Sequence, residues 1–407
     1  MKICLVSSGL NEANRRLQPW HYLFEIGQAL AHQGHNVILI SDGNRSARPG
    51  ETVAGLPVIR LGSRLNGLLH KNAAVIQMVR DQGPDVALWH VGMTSFAHLG
   101  PLRAVPCPVI GVFTSPVYRS RELLRPGIFR LLRGHRLSAV HLLGLLMPDR
   151  ILRRAMDRGR LQALVVECET TRRRLAERGV TADRIQVLRP SIDQVWLQAV
   201  PSPLERARSR DAMGLPPGDF VVGYFGPPGM LRGLAIFLKA VALLQQTQPV
   251  TRALVLSRER DGELRIEGHS PEHVVGRLGI GHRTHLVRGF LSQGALRHAV
   301  AACDAVALPL EIVPSDVPLS VLETMALGLP LVTTDVACLP ELVPDGAGLV
   351  ITPGKPALLA GAIHVLAKDA ALRERLGLAA RRRVMAWQAL CDNESGWTRL
   401  LNASPRH

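Results

Sequence analysis

The stretch Pro314-Ser315-Asp316-Val317-Pro318-Leu319-Ser320-Val321-Leu322-Glu323 sets a single carboxylate close behind the start of a helix. Ser315 or Asp316 has a side chain able to cap that helix, Pro318 suits its first turn, Gly328 suits its left-handed stop, and Pro330 blocks continuation into the strand 331–334. The leading N–H groups, near Leu319 and Ser320, lack intrahelical acceptors and lie at the positive end of the helix dipole. A diphosphate fits such an end. Glu323 falls about two turns in, where an ionised carboxylate accepts hydrogen bonds from paired ribose hydroxyls. The ordinary alternative is a capped surface helix with Glu323 in water.

Other residues weigh on that choice. Gly226-Pro227-Pro228-Gly229-Met230-Leu231-Arg232-Gly233 joins an apolar strand to a helix, where glycine lets a backbone approach phosphate. Arg232 adds a permanent charge able to bind phosphate through two N–H groups. In the first half of the chain, Gly9 follows Ser7-Ser8 in a strand-to-helix turn and permits a similar approach. His90 closes the strand 85–90 on the side that should face a cleft, although a lone histidine there is more often a structural hydrogen-bond partner. Thr114 and Ser115 end the next strand, and their hydroxyls donate hydrogen bonds without carrying charge.

The elements that must position these residues alternate. A buried strand at 2–7, an amphipathic helix from Trp20 to Gln33 and a strand at 36–40 make a strand–helix–strand unit whose right-handed crossover sets the strands parallel. Further strands are predicted at 57–61, 85–90, 108–113, 163–167 and 185–188. A stretch rich in Pro, Arg and Ser, 199–219, breaks the alternation. It restarts with a strand at 220–225, a helix at 234–246 and strands near 252–257, 285–287, 304–308 and 331–334. The fold class is α/β, with two Rossmann-like, doubly wound parallel-sheet domains facing a central cleft. The predicted divisions are 1–198, a linker 199–219, 220–385 and a helical tail 386–407. Open parallel sheets bind ligands beyond the carboxyl ends of their strands, so the loops 7–19, 90–98, 113–119, 226–233, 257–262, 309–319 and 335–340 should line the cleft.

From Met1 to about Trp397 the chain resembles the two-domain, nucleotide-sugar-dependent glycosyltransferases of the GT-B fold, in particular the retaining family 4 type. Segment 314–330 resembles that family's donor-site signature, which holds two glutamates separated by seven residues; Glu323 matches the second. The first falls on Ser315, with Asp316 one residue out of register and Glu311 four residues too early. In the glycine loop, the family's two diphosphate-binding cations fall on Pro227 and Arg232, and an active-site histidine often stands where this chain has Thr114-Ser115.

The resemblance implies an enzyme, a glycosyltransferase of hexosyltransferase type that moves a sugar with retention from a nucleoside diphosphate donor to a glycan or lipid-linked acceptor. His90 would orient the acceptor or bond a sugar hydroxyl, so the catalytic candidates are His90, Ser115 and Arg232. The donor-binding candidates are Gly9, Gly226, Arg232, Ser315, Asp316, Leu319, Ser320 and Glu323. If the departing diphosphate takes the acceptor proton on the same face of the sugar, no enzymatic base is required. The tail is expected to cross back to the first domain. With no D-x-D motif at a strand end, no metal is expected, and the only cofactor-like ligand is the donor itself. The departures at Ser315, Pro227 and Ser115 leave a second reading, a catalytically inactive glycosyltransferase-like binding module or scaffold.

Charge and cysteine content narrow the partners. The formal charge is +16, and eleven arginines against three acids between Arg119 and Arg160 give +8 in about a tenth of the chain. That segment mixes arginine with Leu, Ile, Phe and Met, which suggests an anionic membrane surface; core helices with basic outer faces are the alternative. Nucleic acid is disfavoured, because the charge sits among leucines with only three tyrosines and eight phenylalanines in the chain. Six scattered cysteines lack a C-x-x-C pair, so neither a disulfide framework nor a zinc site is indicated. The apolar start, Met1 to Val6, is too short for a signal peptide, and the expected location is the cytoplasm, with peripheral contact to the inner face of the membrane.

Overall fold

Apolar runs bounded by glycine, proline or polar clusters become strands, and amphipathic runs become helices laid across them. The computed structural model describes residues 1–42, 51–61, 73–134, 136–226, 231–245, 247, 251–257, 266, 268–313, 315–391 and 393–402. Within these residues the first domain has strands β1 (Lys2–Val6), β2 (Asn36–Asp42), β3 (Thr52–Val53), β4 (Leu56–Leu61), β5 (Val86–Val91), β6 (Val109–Phe113), β7 (Leu161–Val166) and β8 (Ile185–Val187). Its helices are α1 (Trp20–His32), α2 (Ala73–Gln82), α3 (Ser120–Leu124), α4 (Ile128–Gly134), α5 (Arg136–Leu145), α6 (Asp149–Gly159), α7 (Glu169–Glu177) and α8 (Gln194–Leu197).

The first sheet runs β3-β4-β2-β1-β5-β6-β7-β8 and is parallel except at one edge. There β3 and β4 pair antiparallel around Ala54 and Gly55, whose φ angles of 54° and 80° are those of a two-residue hairpin turn. A wholly parallel sheet was the expectation; the two-residue run Thr52-Val53 is too short to be read as a strand from its pattern. Along β1, Cys4 and Val6 enter one core layer while Ile3 and Leu5 enter the other. Both faces are covered, which is why this strand reads as continuously apolar.

The second domain contains β9 (Phe220–Gly226), β10 (Thr251–Ser257), β11 (Thr284–Arg288), β12 (Ala305–Ala307), β13 (Leu331–Thr334) and β14 (Leu349–Ile351). All pairs are parallel in the order β11-β10-β9-β12-β13-β14. The helices are α9 (Pro203–Ala212), α10 (Leu234–Leu244), α11 (Pro271–Arg277), α12 (Gln293–Ala301), α13 (Leu319–Ala326), α14 (Leu339–Leu342), α15 (Pro356–Lys368), α16 (Ala370–Ala389) and α17 (Asn393–Asn402). The stretch 199–219 is not an irregular linker. Ser202 and Glu205 form a capping box around Pro203, and Arg206 and Arg210 bind Asp304 at 3.1 and 2.6 Å, so α9 is fastened to the second domain. α16 runs unbroken through residue 385, and α17 returns to pack on α1, with Trp397 and Leu401 buried in the first domain's core.

The domains are joined by buried polar contacts as well as apolar ones. Tyr118 Oη donates to the Val313 carbonyl at 3.0 Å and accepts from its N–H at 2.9 Å, while Arg130 grips Glu311 through two bonds of 2.8 and 2.9 Å. Glu341 accepts from the N–H groups of Glu169 and Thr170 at 3.1 and 2.6 Å, capping α7 across the boundary.

Candidate active site

α13 starts at Leu319, with Pro318 as its N-cap, and no side chain caps it. Both residues expected to do so are engaged elsewhere. Ser315 Oγ donates to the Val317 carbonyl at 3.3 Å, and the Asp316 carboxylate turns to the first domain, accepting from the Thr171 hydroxyl at 2.5 Å, the Glu167 N–H at 3.3 Å and the Cys168 thiol at 3.5 Å. The N–H groups of Leu319 and Ser320 are therefore left without acceptors among the described residues. Glu323, one turn after Leu319, is 4 % exposed.

Ser315, Pro318, Leu319, Ser320 and Glu323 line a cavity of about 260 Å³ together with Tyr224, Gly226 and Arg232 at the β9–α10 turn. Its opposite wall is the first-domain loop Arg16-Leu17-Gln18-Pro19-Trp20. Gly233 holds the turn in place: its φ is +88°, and a Cβ there would stand 2.2 Å from the Pro309 carbonyl oxygen. Only glycine lets α10 begin so close to the loop after β12, and that closeness carries Arg232 into the cavity wall.

Arg232 forms no ion pair among the described residues, although its carbonyl accepts from Tyr224 Oη at 3.1 Å. Burial lowers its pKa, yet a guanidinium remains ionised. A half-buried cation with no anion among the described residues pays part of its desolvation unless a ligand supplies the negative charge. The neighbouring Tyr118 and Tyr224 phenols are pushed up by burial and stay neutral.

Three first-domain expectations change. The Gly9 N–H is taken by the Asp42 carboxylate at 2.7 Å, and the space above Gly9 is filled by the Trp20 indole, whose N–H donates to the Ser8 carbonyl at 2.7 Å, so no phosphate approaches there. His90 and Ser115 do not line the cavity. Both His90 nitrogens are occupied, Nδ1 with Ser7 Oγ and Nε2 with Thr114 Oγ1, each at 2.8 Å. In the neutral ring one nitrogen donates and the other accepts, so Ser7, His90 and Thr114 form one hydrogen-bonded ladder. Burial lowers the His90 pKa to about 4, so the ring is neutral near pH 7 and holds other groups in position. The carboxylates beside the missing glutamate are likewise spoken for: Asp316 lies outside the cavity, and Glu311 is paired with Arg130. Pro227 lies outside the described residues.

Gln18 was not singled out by its sequence, since one glutamine in a loop carries no pattern. Its Oε1 and Nε2 are both buried and unpartnered, and the residue faces the same cavity. Buried amides rarely stay unsatisfied without a reason, and a ligand is one. A larger open depression of about 630 Å³ lies behind the second domain, but its Arg206, Arg210 and Arg381 are already bonded to Asp304 or to backbone carbonyls.

Comparison with known proteins agrees with this architecture. Residues 20–195 match the "Glycosyltransferase Family 4" model and residues 219–369 the "Glycosyl transferases group 1" model. A D-inositol 3-phosphate glycosyltransferase from Paenarthrobacter aurescens is 28% identical over 222 residues, 52% of this chain and 50% of that protein. The chain spans about half the length of the curated relatives it matches. Sucrose-phosphate synthase from Thermosynechococcus elongatus superposes with a TM-score of 0.76 at 19% identity, covering 99% of each chain. HepE from Anabaena, solved in complex with UDP-glucose, gives 0.69 at 18% identity, covering 99% of this chain and 100% of its own. Two family models that together span both domains, with the same fold along the whole chain, make this protein a member of the family 4 type of GT-B glycosyltransferases.

Proposed function

We propose that the chain is a nucleotide-sugar-dependent glycosyltransferase, with the donor between α13, the β9–α10 turn and the loop 16–20. One observation carries the reading. A cation without a carboxylate partner and two helix N–H groups without acceptors, both among the described residues, converge with a buried glutamate on a single cavity between the domains. On this reading Arg232 and the Leu319 and Ser320 N–H groups hold the diphosphate, while Glu323 accepts from the ribose hydroxyls. Gln18 bonds the sugar hydroxyls, compensating for the glutamate that Ser315 replaces. That the similar HepE was solved with UDP-glucose supports this donor class.

Transfer proceeds with retention. The bond from the sugar's anomeric carbon to the phosphate oxygen breaks, its electron pair leaving with the diphosphate. The acceptor oxygen, of a glycan or lipid-linked alcohol, bonds to that carbon from the same face and gives its proton to the departing phosphate oxygen. Arg232 and the α13 terminus stabilise the leaving charge, and His90 keeps Ser7 and Thr114 in place at the acceptor side. Titration calorimetry with nucleoside diphosphates tests the site. Glu323→Ala is expected to weaken binding about tenfold or more, as loss of hydrogen bonds to a charged group implies; unchanged affinity removes the assignment. Mass spectrometry of donor turnover over a panel of sugar nucleotides then separates an enzyme from an inactive scaffold.

A further inference from the structure

We propose that the hairpin of α4 and α5, with the outer stripe of α6, is a docking surface for an anionic lipid bilayer. Of sixteen exposed large apolar residues among the described ones, six lie between Leu124 and Leu146, so the apolar exposure is concentrated in one place. Phe129 is 78% exposed, Leu146 68% and Leu143 60%, values at which these side chains project beyond the protein surface. Val140, Leu143 and Leu146 follow one another at three-residue steps, on a single face at the end of α5. Leu142 and Leu145, beside them, pack inward, so the helix has its buried side already.

The charge around this face is one-sided for a structural reason. Every acid between Arg119 and Arg160 is neutralised from outside the segment: Glu122 by Arg174 at 2.7 Å, Asp149 by Arg178 at 2.8 Å and Asp157 by Arg184 at 2.6 Å. The segment's own Arg121, Arg150, Arg153, Arg154 and Arg158 are exposed and have no carboxylate partner among the described residues. Arg150, Arg154 and Arg158 fall at four-residue steps, a continuous stripe along α6, and α5 and α6 pack on the same short helix, Met93–His98.

Projecting apolar tips beside uncompensated arginines match the two layers of a membrane surface, acyl chains for the first and phosphate groups for the second. A second copy of this chain, itself carrying +16, would meet the stripe with like charge. The contact also bears on the cleft. The hairpin is tied to the loop after β12 through Arg130–Glu311, and its His141 packs at 5.1 Å on the ring of Tyr118, which bonds Val313 in the same loop, so a protein seated this way holds its cleft beside the bilayer. The inference does not depend on the reaction proposed above.

Vesicle flotation of the full chain tests it, using phosphatidylcholine alone or mixed with phosphatidylglycerol. Binding is expected to the mixed vesicles only, weakening as salt screens the surface. Replacing Arg150, Arg154 and Arg158 by Gln should lower partitioning roughly a hundredfold, the effect of three basic residues near an anionic surface. Phe129→Ser with Leu143→Ser should also release the protein, while the thermal unfolding midpoint of the same samples stays unchanged and reports an intact fold. Absence of flotation at low salt overturns the proposal, as does flotation undiminished in both variants. A concentration-dependent dimer abolished by the Phe129 and Leu143 changes, without vesicle binding, would assign the face to a second copy instead.

Discussion

At the scale of single residues, the cavity sorts side chains by whether the protein already satisfies them. His90 is satisfied on both nitrogens and Asp316 on both oxygens, whereas among the described residues Arg232 has no anion and Gln18 no partner. Unsatisfied groups are the ones a ligand completes. Replacing Gln18 with Leu should leave affinity for the nucleoside diphosphate alone unchanged and weaken that for its sugar nucleotide about tenfold, the cost of one or two hydrogen bonds. Equal loss for both ligands would move Gln18 off the sugar. His90 makes the opposite prediction. With its pKa lowered to about 4 by burial, its ring gains no proton between pH 5 and 8, and an NMR titration of its ring protons should show a midpoint near 4. A midpoint near the ordinary histidine value would mean that the ladder from Ser7 to Thr114 is not formed in solution.

At the scale of elements, the sequence is legible wherever burial on two faces imposes a continuous apolar run. β1, β9 and β13 stand where their patterns place them for that reason, while β14 was missed because Leu349-Val350-Ile351 is short and partly exposed. The wall of the cavity formed by α13 and Arg232 was likewise readable, since caps, glycines and a lone glutamate are local signals. The loop 7–19 reaches the cavity through Arg16–Pro19, as a loop beyond a strand's carboxyl end should; the place of the Gln18 amide in it was not legible, because that depends on the packing of two domains and not on a local pattern. Asp316 was misplaced for the same reason: its spacing from Glu323 suggested the donor site, but its environment is set by residues about 150 positions away. Gly233 shows how strictly one element's position can be fixed. Gly233→Ala adds a carbon against the Pro309 carbonyl in a left-handed conformation, so it should cost at least about 1–3 kcal/mol. Thermal unfolding should register that loss together with weaker nucleotide binding, because Arg232 is the preceding residue. Full stability with full affinity would show that the turn can relax elsewhere.

At the scale of the whole molecule, the two domains meet over buried carboxyl groups, and this makes their union sensitive to pH. Asp316 is pushed up to about 7 by burial, with Glu341 adding to the rise and bonds from Thr171, Cys168 and the Glu167 N–H opposing it. Glu167 is raised as well, by burial and then by Asp316; one of its oxygens accepts from the Val317 N–H at 3.1 Å and the other has no partner. A carboxyl whose pKa is higher in the folded protein than in the unfolded chain binds more protons when folded. For Asp316 the resulting stability is fully present below about pH 4 and declines as pH rises through about 7. Asp316→Asn removes the titrating proton and keeps an oxygen for Thr171. The difference in denaturation midpoint between wild type and this variant should therefore shift against wild type from pH 5 to pH 8, and small-angle scattering should show wild type opening over the same range. Arg130 and Glu311 serve as an internal reference, since no shift in their own pairing is invoked; a difference that stays flat with pH would mean the interface holds Asp316 ionised throughout, compensated by its three donors.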